Sequence, residues 1–203
     1  MAIALGLTAS VVFRQAAPPR LTVGWTPVVQ AAVLDPGSPS VGPASADVTI
    51  IVFTDYQCPI CRATDSALRE VQLADRQVRV IYKDWPILGE RSRFAARIAL
   101  AADRQGRYVV LHRALMRTTR SLDPETVREV AIDAAVDWPR LEADLRLHDR
   151  EIDAQLTRHA DQAWSLGLEG TPAYLVGPFL LRGGLSQRAL KSTITAAREA
   201  RMR

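Results

Sequence analysis

The hydrophobic pattern of this chain opens as one almost unbroken apolar run, Met1 to Phe13, and becomes regular only after Asp47. Val48 to Phe53 is mostly β-branched and apolar, with the composition and length of a buried strand. Pro59 to about Ala74 reads as helix with Leu68 and Val71 facing inward, and Val78 to Tyr82 is a second apolar strand. That strand ends at Lys83-Asp84-Trp85-Pro86. Strand, helix and strand in this order predict a βαβ unit with a parallel pair and a right-handed crossover.

A long helical block comes next. Phe94, Ile98 and Ala101 repeat at helical spacing, Gly106 interrupts, and Val109 to Met116 resumes. Asp123-Pro124-Glu125 is a helix start, with Asp as cap and Pro in the first turn; Val127, Val130, Ala131 and Ala134 form its apolar stripe. Leu141 and Leu145 mark a short helix, and Ile152, Leu156, His159 and Ala163 another, closed by Gly167. His159 borders that stripe as a hydrogen-bonded core histidine. The chain then returns to β: Thr171 to Val176, a turn at Gly177-Pro178, and Phe179 to Arg182. Gly183-Gly184 breaks this strand, and Ser186 caps a last helix with Leu190, Ile194 and Ala197 inward. No internal repeat shows.

The first third of the chain lacks such regularity. Residues 1–14 fit a signal h-region and are short for a transmembrane helix, which needs about 20 residues. No Lys or Arg precedes the run and no clean cleavage site follows it. A signal peptide with a shortened start or an uncleaved anchor is therefore expected, and a frayed N-terminal helix is the alternative. Residues 15–46 are rich in Pro, Gly, Ser and Ala and predict a linker or loosely attached arm, with one short element within Trp25 to Leu34.

Composition narrows the class. At 203 residues, 48% hydrophobic and 24% charged, the chain can bury a sizeable core and stay soluble. The net charge of +4 is mild, with arginines and acids interleaved, so a solvated surface is expected and a nucleic-acid partner is not.

The chemistry concentrates in Asp55-Tyr56-Gln57-Cys58-Pro59-Ile60-Cys61, which holds both cysteines of the chain. Pro59 suits the first helical position, because its missing N–H would have lacked a helical partner. Cys58 then falls at the N-cap, where free backbone donors and the positive end of the helix dipole favour a thiolate. Cys61, one turn on, can form a disulfide with it or attack a mixed one. Inert core cysteines are the bland alternative. A zinc half-site would need two more ligands, and His112, His148 and His159 show no paired spacing. No metal and no cofactor beyond the Cys58–Cys61 disulfide itself are expected.

The stretches Phe53 to Cys61, Tyr82-Lys83-Asp84-Trp85-Pro86-Ile87-Leu88-Gly89 and Glu169-Gly170-Thr171-Pro172-Ala173-Tyr174, in a βαβ, helical insertion, ββα order, resemble the DsbA-like branch of the thioredoxin-fold thiol–disulfide oxidoreductases. The resemblance implies a thioredoxin-like α/β fold over residues 47–201, with an all-α insertion at about 88–167. It makes Cys58 the attacking thiolate and Cys61 the resolving thiol. It also makes Thr171–Pro172 a cis peptide facing them; a trans proline at a strand edge is the alternative. A proline that starts a strand leaves backbone groups free to pair with a substrate chain.

Two departures stand out. Many relatives carry a buried Glu where this chain has Val52, which leaves Lys83 without the expected partner and Asp55 as the nearest acid in sequence. Ile60 has no donor to offer the Cys58 thiolate, which makes the couple less oxidising. Pro59, Ile60, Thr171, Pro172, Lys83 and Asp55 are thus the expected supporting residues.

These readings predict an exported, periplasmic or otherwise extracytoplasmic thiol–disulfide oxidoreductase, an oxidase rather than a reductase, and possible anchoring by the N-terminal segment. Cysteine-containing proteins would be its substrates, and a membrane or soluble partner would recycle it. The Pro/Gly-rich arm looks too short for a dimerisation module, so a monomer is expected. The expected potential lies roughly between −230 and −150 mV. The rivals are an isomerase or reductase, and a binding module such as a chaperone-like protein or a thiol-based metal carrier.

Overall fold

The computed structural model describes residues 19–202; the expected signal or anchor segment, residues 1–14, lies outside the described residues. The elements are β1 (Leu21–Thr22), α1 (Pro27–Val33), β2 (Ser40–Val41), β3 (Val48–Thr54), α2 (Pro59–Ala74), β4 (Val78–Asp84), α3 (Glu90–Asp103), α4 (Tyr108–Arg117), α5 (Pro124–Asp133), α6 (Trp138–Leu147), α7 (Asp149–Ser165), β5 (Ala173–Val176), β6 (Phe179–Arg182) and α8 (Gln187–Arg201). One mixed sheet of order β1-β6-β5-β3-β4-β2 organises them. β3 and β4 run parallel, with Val48 opposite Val78 and Thr54 opposite Asp84, and the remaining pairs are antiparallel. This is the thioredoxin-like α/β arrangement, with helices α3 to α7 between β4 and β5.

Residue alternation along the central strands splits the core in two. Ile50, Val52, Tyr82, Tyr174 and Val176 face α2, α8 and the helical insertion. Ile51, Phe53, Ile81, Ala173 and Leu175 face the other way, onto Val29 and Ala32 of α1 and Ala163 of α7. α7 serves both layers, because Ile152 and Leu156 in its first half pack with the insertion.

The expectation of a loose linker over residues 15–46 is corrected for residues 21–46. Thr26 caps α1 by accepting from the Val29 N–H, with Pro27 at the first turn. Val29 and Ala32 are buried against the sheet, and burying a valine side chain contributes about 1.5–3 kcal/mol. β1 adds to the β6 edge and β2 to the β4 edge, so the segment brackets the sheet on both sides. The short element expected within Trp25 to Leu34 is α1.

β4 also runs two residues further than the apolar pattern suggests, through Lys83 and Asp84. Both are buried, and charged residues are buried in a strand only when partners compensate them. Lys83 points to the α1 face and Asp84 to the α2 face.

Candidate active site

Cys58 is the N-cap of α2, with extended backbone (φ −72°, ψ 116°), and Pro59 opens the first turn. Its sulfur accepts the Cys61 N–H at 3.3 Å, so a backbone donor of the helix N-terminus is aimed at it. In this dithiol form the Cys58 thiol donates to the Thr171 carbonyl at 3.3 Å. The Thr171–Pro172 bond is cis. The Pro172 carbonyl accepts from the Gly183 N–H at 2.8 Å, which ties this loop to the end of β6.

Gly184 permits a close approach here. A Cβ on it would lie 2.7 Å from Cγ2 of both Ile60 and Thr64, so the loop after β6 rests directly on the first turn of α2. Ile60, in the first turn of α2, is 52% exposed, and Ile87 and Leu88 before α3 are exposed as well.

Asp55 is buried, and its carboxylate accepts from the Gln57 N–H at 2.7 Å, the Leu88 N–H at 3.0 Å and the Ser92 hydroxyl at 2.7 Å. It clamps the loop before Cys58 to the start of α3. With three donors satisfied it is a positioning group and no counter-ion for Lys83.

Lys83 is not brought to the sulfurs. It lies on the opposite face of the sheet, where its Nζ meets Asp35 Oδ2 at 2.9 Å and the Ser38 hydroxyl at 2.7 Å. The expectation that it lacks a partner is corrected, since the arm supplies Asp35. Burial pushes the Lys83 ammonium down to about 8, against the pull of Asp35. Burial alone would raise the Asp35 carboxyl, but the bond and charge from Lys83 hold it low, at about 2. His159 completes this cluster, buried and bonded to the Asp84 carbonyl and Ser38 hydroxyl, each at 3.1 Å. Burial and then the Lys83 charge push its imidazole down to about 3.

Val52 sits in the core beneath Cys58 and Cys61, between Tyr82 and Tyr174 in register. The acid on this face is Asp84, which the sequence reading did not single out. Burial raises its carboxyl to about 6. Its one sequence signal was an acid at the end of an apolar strand, which reads equally as the strand's solvent-facing terminus.

Burial pushes the Cys61 thiol up to about 12. Near pH 7 the Cys61 sulfur is then held as the thiol. Brief iodoacetamide treatment of the reduced protein should therefore label Cys58 alone, as read by mass spectrometry. Preferential labelling of Cys61 would overturn the difference between the two sulfurs. Among the described residues, no three His, Cys, Asp or Glu side chains gather into a potential metal site.

This geometry agrees with comparisons to known proteins. The DSBA-like thioredoxin domain matches residues 49–195. A solved thioredoxin-like oxidoreductase from Silicibacter pomeroyi DSS-3 shares 36% identity and superposes with a TM-score of 0.79, covering 84% of this chain and 97% of that one. A periplasmic thioredoxin-like protein from Salmonella enterica serovar Typhimurium shares 27% identity at a TM-score of 0.72, covering 85% of this chain and 96% of that one. Among curated sequences, the Na(+)/H(+) antiporter NhaA 3 of Salinispora tropica is 27% identical over 158 residues, 77% of this chain; the chain spans only 24% of that relative's length.

The fold and the cysteine pair thus define a thioredoxin-like domain with a Cys-x-x-Cys dithiol at the N-terminus of α2. The chain belongs to the DSBA-like thioredoxin domain family.

Proposed function

We propose that this protein donates disulfides to exported, cysteine-containing proteins, with Cys58 as the attacking and attacked sulfur and Cys61 as the resolving thiol. The observation that carries the oxidase direction is the Cys61 N–H aimed at Cys58 Sγ at 3.3 Å, at the N-terminus of α2. A backbone donor and a helix dipole aimed at this sulfur stabilise the reduced pair, and a stabilised reduced form makes the disulfide oxidising. Ile60 contributes no further donor, which tempers this effect.

In each cycle a substrate thiolate attacks Cys58 and Cys61 leaves. The substrate's second thiol then displaces Cys58, or Cys61 returns to resolve the mixed disulfide. Exposed Ile60, Ile87 and Leu88 suit a partly unfolded chain, whose apolar side chains are still accessible. Main-chain groups beside Pro172 would pair with the substrate backbone. A membrane or soluble partner reoxidises the enzyme. The periplasmic relative from Salmonella supports an extracytoplasmic location. Among the described residues no helix is long and apolar enough to cross a membrane. We assign the working unit as a monomer.

Equilibration with defined glutathione mixtures should give a potential roughly between −230 and −150 mV. A reduced dithiol peptide in excess, with glutathione disulfide as terminal oxidant, should be oxidised over many turnovers. A potential near thioredoxin's, about −270 mV, would overturn the oxidase direction in favour of a reductase. Stoichiometric metal retention with no turnover would overturn the enzyme reading itself.

A further inference from the structure

Between α2, α4 and α5 lies a groove of about 500 Å³ that disulfide exchange does not use. That volume falls in the range of small-molecule sites. Three arginines line it, Arg69 from α2 and Arg113 and Arg117 from α4. Arg113 and Arg117 are one helical turn apart and share a face of α4. Val110, Ala114 and Val130 supply apolar lining beside them. Arg69 stands about two helical turns beyond Cys61, roughly 12 Å along the axis, so the groove is separate from the reacting sulfurs.

These three arginines are uncommitted. Other arginines of the surface are paired: Arg97 with Asp149 and Asp153, Arg104 with Glu151, Arg120 with Glu129, and Arg198 with Asp47 and Asp75. Among the described residues no carboxylate comes within ion-pair distance of Arg69, Arg113 or Arg117. Arg113 Nε is moreover buried without a hydrogen-bond partner. Buried donors are ordinarily satisfied, and an unpaired one on a charged group is the costlier exception. Asp133 is the one carboxylate among the described residues that line the groove, against three guanidiniums.

The neighbouring helix end has also been made compatible with an anion. Free carbonyls at the C-terminus of α4 would repel negative charge. The Arg62 guanidinium donates to the Leu115 carbonyl at 3.3 Å and to that of Thr118, which offsets the negative end of the helix.

We propose that this groove binds a small molecule whose phosphate or carboxylate group is carried on an apolar body. Arg113 and Arg117 take the oxyanion, because the planar fork of a guanidinium matches two of its oxygens. Arg69 adds a third positive charge from α2, and the apolar part lies on Val110, Ala114 and Val130. The site is concave, so a free solute enters it more readily than the plane of a bilayer does.

Isothermal titration calorimetry with phenyl phosphate, inorganic phosphate and phenol tests this. Phenyl phosphate should bind at one site, tighter than inorganic phosphate by about tenfold, because the ring adds buried apolar area. Phenol should not bind. Arg113→Met and Arg117→Met should each weaken phenyl phosphate by about tenfold, the loss expected for one charge-assisted bond. Arg113→Lys keeps the charge without the fork and should recover only part of that loss. Val110→Asp should abolish binding. Val110 and Arg117 are exposed, so these two variants keep the fold and stand as the decisive ones should Arg113→Met unfold. Cys58→Ser should bind as the wild type does. Wild-type affinity in Arg117→Met, or phenol binding as well as phenyl phosphate, would overturn the site. Binding to phosphatidylglycerol vesicles without binding of phenyl phosphate would overturn the small-molecule ligand in favour of a membrane surface.

Discussion

Replacing Asp35 by Ala should destabilise the protein by about 3–5 kcal/mol near neutral pH, the range for breaking one half of a buried ion pair. The Lys83 side chain is 0% exposed and that of Asp35 2%, so water cannot take over the lost charge. Ser38 still offers one oxygen to the ammonium, but Arg158, 3.5 Å from Asp35, would add unopposed positive charge. The pH dependence follows from the two groups. Asp35 is held below its unfolded value of 3.8, so its contribution is full above 3.8 and is lost as pH falls through about 2. Lys83 is held at about 8 against 10.5 unfolded, so the burden of its buried charge is lifted as pH rises through that interval. The deficit of Asp35→Ala should accordingly shrink in alkali. Asp35→Leu combined with Lys83→Met should recover most of the loss, because an apolar pair carries no desolvation cost. Urea unfolding of the three proteins across pH measures this. A single variant as stable as the wild type would remove Asp35 from the structural account.

The same pair marks where the sequence was legible and where it was not. β3, α2, β4 and α8 announce themselves through local signals: an apolar run, a Pro at the first helical turn, a Ser cap, a stripe at helical spacing. The arm over residues 21–46 does not, because its strands are two residues each and α1 buries only Val29 and Ala32. What fixes it is a bond between Asp35 and Lys83, and no local pattern reveals a pairing 48 residues apart. A chain without residues 21–44 would expose Ile51, Phe53 and Ile81 and leave Lys83 buried without a counter-charge.

The site divides along the same line. Cys58, Pro59, Ile60, Cys61, Thr171 and Pro172 meet where a resemblance of motifs puts them, and Asp55 sits beside them as a clamp. Lys83 and Asp84 are neighbours in sequence, yet strand alternation sends them to opposite faces. Only that geometry separates the lysine of a structural ion pair from the acid beneath the sulfurs.

Asp84→Asn should make the protein more stable above pH 6. A carboxyl at about 6 in the fold and 3.8 when unfolded binds its proton more tightly in the native state. Between those values the native protein holds more protons than the unfolded chain, so stability falls as pH rises. Above pH 6 the full penalty is present, up to about 3 kcal/mol for a shift of this size. Asparagine keeps the shape and an oxygen for the Tyr108 hydroxyl but cannot ionise, so it avoids most of that penalty. The variant's advantage should therefore be largest near pH 7.5 and should disappear below pH 4, where the native carboxyl is already protonated. Urea midpoints at the two pH values decide the matter: an equal difference at both would mean that ionisation of Asp84 carries no cost.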